Sequence, residues 1–225
     1  MRKSLRKSLG ASAAALMLAM IACVSAEEAA PGLAPGSSEA KDAPVEHRVT
    51  PGDIDKRIEE RAAEIQKIAP KGAARYVVYD IAWPVAADEY RALGRHAILF
   101  LSAVSQNADE LPLKQVYTRQ GGKSLPLKQL SSKRRDVPPG SLTHTMFGPY
   151  REDSFYLLPV GALMQEWKLL ADFAKNRNEF SISLSQLNPP RFIQTDRTRS
   201  AGKVDPAALK TILEREFPGF EVTPQ

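Results

Sequence analysis

The segment from residue 153 to residue 185 constrains the fold more than any other part of the chain. Residues 180–185 alternate strictly between apolar and polar side chains, and residues 167–173 do the same with Leu170 as the exception. Because side chains in a β-strand point to opposite faces in turn, both runs are predicted to be strands with one buried face. The polar link between them contains two asparagines, which tolerate a tight turn. We therefore predict an antiparallel hairpin.

Two other runs, residues 95–105 and 155–160, are apolar on both faces. Such strands lie in the middle of a sheet, covered from both sides. Pro159 has no N–H group, so it is expected at the end of its strand. Residues 75–82 are rich in β-branched and aromatic side chains, and this composition also predicts a strand.

A second hairpin is predicted where Gly121 and Gly122 separate residues 115–120 from residues 123–130. Pro126 places the second of these strands at the edge of its sheet, because proline cannot donate to a ladder. An edge strand has unpaired backbone groups to which a partner strand can add, so this hairpin is our candidate partner surface.

The remaining segments between strands carry weaker patterns. Residues 131–141 are predicted to form a loop, residues 142–147 a short strand and residues 191–196 a short extended segment. Residues 85–94 fit either a short helix or a loop.

Two amphipathic helices are predicted, one before and one after these strands. Thr50 is placed to cap the first helix, with Pro51 in its first turn and Asp53 completing a capping box. Asp205 and Pro206 open the second helix in the same way. Each carries an apolar stripe at helical spacing: Ile54, Ile58, Ala62, Ile65 and Ile68 in the first, and Leu209, Ile212, Leu213 and Phe217 in the second. We expect both stripes to dock on the domain's own sheet rather than on a partner or a membrane surface.

These elements predict a mainly β fold, α+β by count. The expected architecture is an antiparallel, immunoglobulin-like β-sandwich of about seven or eight strands, with one amphipathic helix before it and another after it. The chain has no alternation of strands and helices, so a parallel sheet is not expected.

The N-terminus has the pattern of an export signal. A basic start precedes a short apolar run, and residues 24–26 fit a cleavage site that would make residues 1–26 a signal peptide. The alternative is a lipoprotein signal ending at residue 22, in which Cys23 becomes the acylated residue. Residues 27–49 are rich in Ala, Pro, Gly and Ser and are predicted to be a disordered linker. The expected domain is then 50–225, in the periplasm or anchored to the outer membrane through Cys23.

Export changes the meaning of the net charge, which is +5 for the whole chain. Residues 1–26 hold four of the 31 basic residues and none of the 26 acidic ones, so the remainder carries +1. A nucleic-acid partner is therefore not expected. Cys23 is the only cysteine, which leaves the domain without a disulfide or a cysteine metal site.

No cofactor, metal or catalytic motif is recognisable in the sequence. The three histidines are far apart along the chain: His47 is expected to be solvated, and His96 and His144 to be surface or structural residues. The acidic pair Glu59 and Glu60 is expected on a solvated helix face. The cluster Lys133, Arg134 and Arg135 is a candidate contact for a polyanion, with a solvated loop as the alternative.

We therefore expect an exported bacterial cell-envelope protein that acts as a non-enzymatic binding or adaptor module for an envelope protein or polymer. One alternative is an exported hydrolase with dispersed catalytic residues, which requires His96 or His144 beside a carboxylate and a hydroxyl. The other is a lipid- or polyanion-binding envelope lipoprotein that uses Lys133, Arg134 and Arg135.

Overall fold

The computed structural model describes residues 47–72, 75–111, 113–120, 123–160, 168–173, 180–183, 187–196, 198 and 201–222. All of them belong to one compact unit. The elements in chain order are α1 (Pro51–Ile68), β1 (Arg75–Ala82), α2 (Ala87–Ala92), β2 (His96–Ser105), β3 (Leu113–Gln120), β4 (Lys123–Pro126), β5 (Lys128–Asp136), α3 (Leu142–Phe147), β6 (Tyr150–Pro159), β7 (Lys168–Phe173), β8 (Phe180–Ser183), α4 (Arg191–Thr195) and α5 (Pro206–Glu216).

The described strands form two antiparallel sheets, so the fold is α+β, and neither sheet closes into a barrel within the described residues. The first sheet has the order β1-β2-β6-β5 and the second β4-β3-β7-β8. The predicted hairpin of residues 167–185 is confirmed as the β7–β8 pair. Its turn, and residues 184 and 185, lie outside the described part of the chain.

Strands β2 and β6 occupy the centre of the first sheet, as their apolar sequences predict. Every residue of β2 is buried, and Pro159 is the last residue of β6. Because both faces of these strands are apolar, each face needs its own covering layer. Helices α1 and α5 cover one face, and β3 covers the other together with α2 and α4.

Helices α1 and α5 cover the same face of the first sheet. Their buried stripes pack with Ile98, Phe100 and Phe155 in one apolar cluster. The predicted caps are present: the Thr50 side chain and Asp53 form a capping box, and Asp205 accepts from the Ala207 N–H. The expectation that both helices dock on their own domain is confirmed.

The opposite face of the first sheet meets the second sheet. Leu99, Leu101 and Leu158 project from it into a second apolar cluster, which includes Val116 of β3 and Leu127. Val116 and Leu127 are also joined by a backbone hydrogen bond of 2.8 Å. Leu127 stands between β4 and β5, where the chain leaves one sheet and enters the other.

This change of sheet corrects the prediction for residues 123–141. The second arm of the hairpin, predicted to reach residue 130, ends at Pro126 as the edge strand β4. Residues 128–136 form the separate strand β5, which includes residues 131–136 of the predicted loop. The polar side chains of residues 131–136 hid this strand, because its edge position leaves most of them exposed. Polar and charged residues are common on edge strands, where they block pairing with other chains.

Two short segments predicted as extended are helical. Residues 142–147 form α3, since the Ser141 side chain accepts from the His144 N–H and so caps the turn. Residues 191–195 form α4 after Pro190. The ambiguous residues 85–94 contain the helix α2.

Val49, which the sequence places in the linker, is packed against the domain. It is 2% exposed, and its N–H donates to the Glu216 carbonyl at 2.8 Å. Within the described residues, no helix combines the length and the apolar character that crossing a membrane requires.

Candidate functional site

A charged cleft of about 420 Å³ lies at one end of the first sheet. Helix α1 forms one wall, the segment after β5 and the start of α3 form the other, and Arg151 at the start of β6 forms the floor. Ile58, Val137 and Pro138 give the walls apolar patches. The volume falls within the range of about 300–1,000 Å³ that is typical of small-molecule sites.

The floor is a buried ion pair. Arg151 is 7% exposed, and its Nε and Nη2 donate to the two carboxylate oxygens of Asp153 at 2.7 and 3.1 Å. Asp153 itself is 2% exposed. A bidentate pair fixes the plane of the guanidinium, so Arg151 is held rigidly at the base of the cleft.

Arg135 of β5 shares the same carboxylate. Its Nε lies 3.2 Å from Oδ2 of Asp153, but the angle is unsuitable for a hydrogen bond and this buried N–H has no acceptor. The guanidinium of Arg135 lies over the ring of Phe220, at 5.7 Å from the ring centre. Two guanidinium groups thus share one buried carboxylate at this end of the sheet.

The wall contributed by α1 carries exposed charges. Asp55 accepts a hydrogen bond from Nη1 of Arg151, although the Asp55 side chain is 63% exposed. Lys56 lies at the rim with 75% exposure. The outer partner of the buried guanidinium is therefore a solvated side chain on a helix surface.

Glu59, also on α1, has a structural role that the sequence did not reveal. Its carboxylate accepts from the N–H groups of Leu142 and Thr143, both at 2.8 Å, and from the Thr143 hydroxyl. Burial opposes ionisation of Glu59, but these hydrogen bonds outweigh it and lower its pKa. The prediction that Glu59 is solvated is wrong: it binds the first turn of α3 and joins the two walls.

Most polar side chains of the cleft are engaged with other groups of the chain. No histidine lines the cleft, and its hydroxyls are engaged internally: Thr143 donates to Glu59, and Ser141 donates to the Pro138 carbonyl. Among the described residues, no group of three potential ligands could hold a metal ion. What the cleft offers is a fixed guanidinium beneath apolar walls.

His47 lies in a separate ionic network and is not solvated, contrary to the prediction. Its Nε2 is 2.5 Å from Asp80 and its Nδ1 is 3.2 Å from Glu216. Arg57 donates to the second oxygen of Asp80, and Arg215 donates to Glu216. The imidazole therefore links the segment before α1 to β1 and to the end of α5.

Both ring nitrogens of His47 can donate at once only when the ring is protonated. The hydrogen bonds to Asp80 and then Glu216 raise the pKa of His47 to about 9. Burial disfavours ionised Asp80 and Glu216, but their cationic partners outweigh it and lower the pKa of each carboxyl. No hydroxyl nucleophile is placed on this ring, and the network holds the chain together instead.

This geometry predicts a specific loss of stability in alkali. A raised pKa means that His47 stabilises the folded state fully below pH 6.5, its ordinary pKa, and that this contribution disappears as pH rises through about 9. We expect a difference on the order of 2 kcal/mol, allowing for the partial exposure of the ring. Urea unfolding of the wild type and of His47→Gln will measure it.

The His47→Gln variant is expected to be clearly less stable than the wild type near pH 6 and nearly equal to it near pH 9.5. A gap that stayed constant across this range would contradict the assignment of a protonated ring. Replacement of His96 by glutamine is the control, because burial lowers the pKa of that ring.

His96 and His144 do not meet the geometric requirement of the hydrolase hypothesis in the described structure. His96 is buried, and its Nδ1 binds the Leu93 carbonyl at 2.8 Å, so it is a structural residue as predicted. His144 lies in α3, where its backbone N–H and carbonyl take part in the helix caps. Neither ring is paired with a carboxylate.

The three basic residues of the candidate polyanion contact lie on β5, and each is near a carboxylate of the same chain. Lys133 pairs with Glu221, Arg134 lies 3.5 Å from Glu152, and Arg135 lies 3.2 Å from Asp153. Arg134 also donates to the Leu111 carbonyl at 2.7 Å. Cys23, the candidate lipidation site, lies outside the described residues.

Sequence reasoning missed Arg151, Asp153 and Asp55, although one signal was present. The basic run of residues 133–135 lies opposite the mixed run of residues 151–153, and the register pairs Lys133 with Asp153 and Arg134 with Glu152. Such complementary runs stabilise neighbouring strands. Reading residues 131–141 as a loop concealed this match.

No protein-family model matches this chain, and no curated protein or solved structure shows significant similarity to it. The functional assignment therefore depends on the geometry of the chain's own residues.

Proposed function

We propose that this chain is an exported bacterial cell-envelope protein whose folded domain is a non-enzymatic binding or adaptor module. It acts in the periplasm, or at the outer membrane if Cys23 is acylated. The export pattern of residues 1–26 supports the location. The immunoglobulin-like form of the domain is part of the same proposal, and two packed antiparallel sheets support it.

The observation that carries the binding role is the cleft floored by Arg151. A guanidinium that is pre-oriented by a buried carboxylate and lies between apolar walls has the features of a recognition site. The groups around it are ion pairs and engaged hydroxyls, which hold a ligand but transfer no proton.

A second surface supports the adaptor role. Strand β4 lies at the edge of the second sheet, as the sequence predicts, and all four of its residues are exposed. Leu125 at its centre is 42% exposed. An exposed edge strand accepts an added strand from a partner, and Leu125 gives that partner an apolar contact.

The proposal is tested by cross-linking in intact cells, followed by affinity capture of the chain from envelope fractions. We expect capture of an envelope protein or polymer that is reduced at least severalfold by Lys56→Glu at the cleft or by Leu125→Lys on β4. Lys210→Glu is the matched control, because Lys56 and Lys210 are both 75% exposed and each pairs with a glutamate four residues on.

Recovery of the chain in the cytoplasmic fraction, or a capture pattern that none of these variants changes, would count against the proposal. The intact mass of the mature protein decides how its N-terminus is processed. Cleavage after Ala26 and acylation of Cys23 give different masses.

The two alternatives have less support. The hydrolase lacks a histidine placed beside both a carboxylate and a hydroxyl among the described residues. The polyanion contact requires Lys133, Arg134 and Arg135 to exchange internal carboxylates for an external anion. Changing these three residues to serine tests it, since unchanged binding to anionic vesicles would remove this alternative.

A further inference from the structure

We infer that the cleft is a carboxylate-binding site, in which the carboxyl group of a ligand takes the place of Asp55 on the guanidinium of Arg151. This inference rests on the proposed binding role and names the chemistry of the ligand. The ligand carries its carboxylate on a small apolar body, as the end of a peptide chain or a free organic acid does.

The first argument is the number of donors on Arg151. A guanidinium has five N–H bonds, and in Arg151 two of them go to Asp153 and one goes to Asp55. One N–H on each Nη nitrogen is left over. These two nitrogens form the end-on fork that binds a planar carboxylate with two parallel hydrogen bonds.

The second argument is the difference between the two carboxylates that Arg151 already binds. Asp153 is 2% exposed and cannot leave without stranding a buried charge. The Asp55 side chain is 63% exposed and returns to water when it is displaced. An ion pair to a solvated side chain contributes little, so a ligand carboxylate can replace Asp55 at small cost.

The third argument is the unsatisfied donor beside this pair. The buried Nε of Arg135 has no acceptor, which is costly in a folded protein. Arg135 lines the same cleft as Arg151. A ligand carboxylate that replaces Asp55 keeps a negative charge beside Arg151, in the cleft that Arg135 also lines.

The walls select the rest of the ligand. Ile58, Val137 and Pro138 offer apolar contact next to the guanidinium, which suits an aliphatic group attached to the carboxylate. Lys56 at the rim adds a third positive charge to those of Arg135 and Arg151, and Asp55, Glu59 and Asp136 supply three negative ones. A multiply charged oxyanion without an apolar part, such as phosphate, leaves these walls unused.

The test is a titration of the purified folded protein with isocaproate, with isocaproamide, with acetyl-alanyl-leucine and its C-terminal amide, and with inorganic phosphate. The arginine Nε–H signals in NMR spectra report binding at Arg135 and Arg151 directly. We expect both carboxylates to shift these signals and both amides to leave them unchanged. If acetyl-alanyl-leucine binds more tightly than isocaproate, the ligand is the end of a peptide chain. If the two compounds bind with equal affinity, the ligand is a free organic acid.

Asp55→Asn is the decisive variant because its expected effect is a gain. Removing the competing carboxylate should tighten carboxylate binding about two- to fivefold, the change that a solvent-exposed ion pair produces. Glu64→Gln is the matched control: Glu64 lies on the same helix, is 62% exposed and pairs with Arg61, and neither of these residues lines the cleft. It should leave the affinity unchanged.

Three results would overturn the inference: amides that bind as well as acids, phosphate that binds as tightly as isocaproate, or equal gains from Asp55→Asn and Glu64→Gln. Because these measurements use purified protein and known compounds, they are independent of cellular location. Carboxylate binding without an envelope partner would refute only the proposed function, and an envelope partner without carboxylate binding would refute only this inference.

Discussion

Replacement of Asp153 by alanine is expected to destabilise the folded domain by about 3–5 kcal/mol, the usual cost of stranding one charge of a buried pair. Arg151, which is 7% exposed, would retain only the solvated Asp55 as a partner. Arg135 would lose its nearest carboxylate at the same time. Urea unfolding at neutral pH, monitored by circular dichroism, measures the loss. We expect a lower urea concentration at the midpoint and an unchanged dependence of the unfolding free energy on urea concentration.

The double variant Arg151→Met/Asp153→Leu separates the cost of an unpaired charge from the value of the pair. Apolar residues of similar size often replace a buried ion pair without net loss, so the double variant should recover most of the stability. It should also lose carboxylate binding completely. If it were as unstable as Asp153→Ala, the pair would be needed for packing or register, and the electrostatic explanation would be wrong.

Replacement of Phe100 by alanine is expected to cost about 3–5 kcal/mol, because it opens a cavity between the first sheet and α5. Phe100 is fully buried at the centre of β2, with its ring centre 5.0 Å from Phe155, 5.9 Å from Phe217 and 5.0 Å from Phe220. These contacts join the sheet to the end of α5 and to the segment that follows it. Thermal and urea unfolding give the measurement.

Phe100→Leu is the graded control, since it keeps most of the apolar volume and should lose less than half as much stability. Leu125→Ala provides a second control on a strand, because Leu125 is 42% exposed and its truncation leaves no cavity. Similar losses from Phe100→Ala and Leu125→Ala would contradict the assigned core.

The fold was predictable wherever local chemistry and burial agree. The capping box at Thr50, the Asp205–Pro206 helix start and the apolar β2 each combine a local signal with a buried face, and each is present. The helical stripes also predict docking on the sheet. Which face of which sheet receives the helices is a tertiary property, and no sequence period encodes it.

Two of the errors in secondary structure fall on β5 and α3, where burial is incomplete. An edge strand keeps one side of its backbone in water, so the charged residues 133–135 fit it as well as they fit a loop. In α3, the hydroxyl of Ser141 and the distant Glu59 supply the hydrogen bonds that stabilise a six-residue helix. Glu59 lies on α1, so its contribution is not visible in the local sequence.

The candidate site was the least predictable part, because its residues come from distant segments. Asp55, Arg135 and Arg151 meet only after β5 pairs with β6 and α1 docks on the sheet. His47 shows the same limitation, since its partners Asp80 and Glu216 are 33 and 169 residues away. An isolated histidine in a polar stretch carries no sign of such partners.

The hydrogen bond between Val49 and Glu216 also bears on how freely the chain can be reconnected. It places the segment just before α1 beside the last residue of α5, so the path between these two points is nearly circular. A linker that leads from residue 222 back to His47 would keep Phe217 and Phe220 in the core. It would allow new ends to be opened in an exposed turn away from the cleft, such as the one at Pro70 and Lys71. Such a circular permutant would keep every strand pairing and leave the Arg151 cleft intact, because neither depends on the order in which α1 and α5 are made.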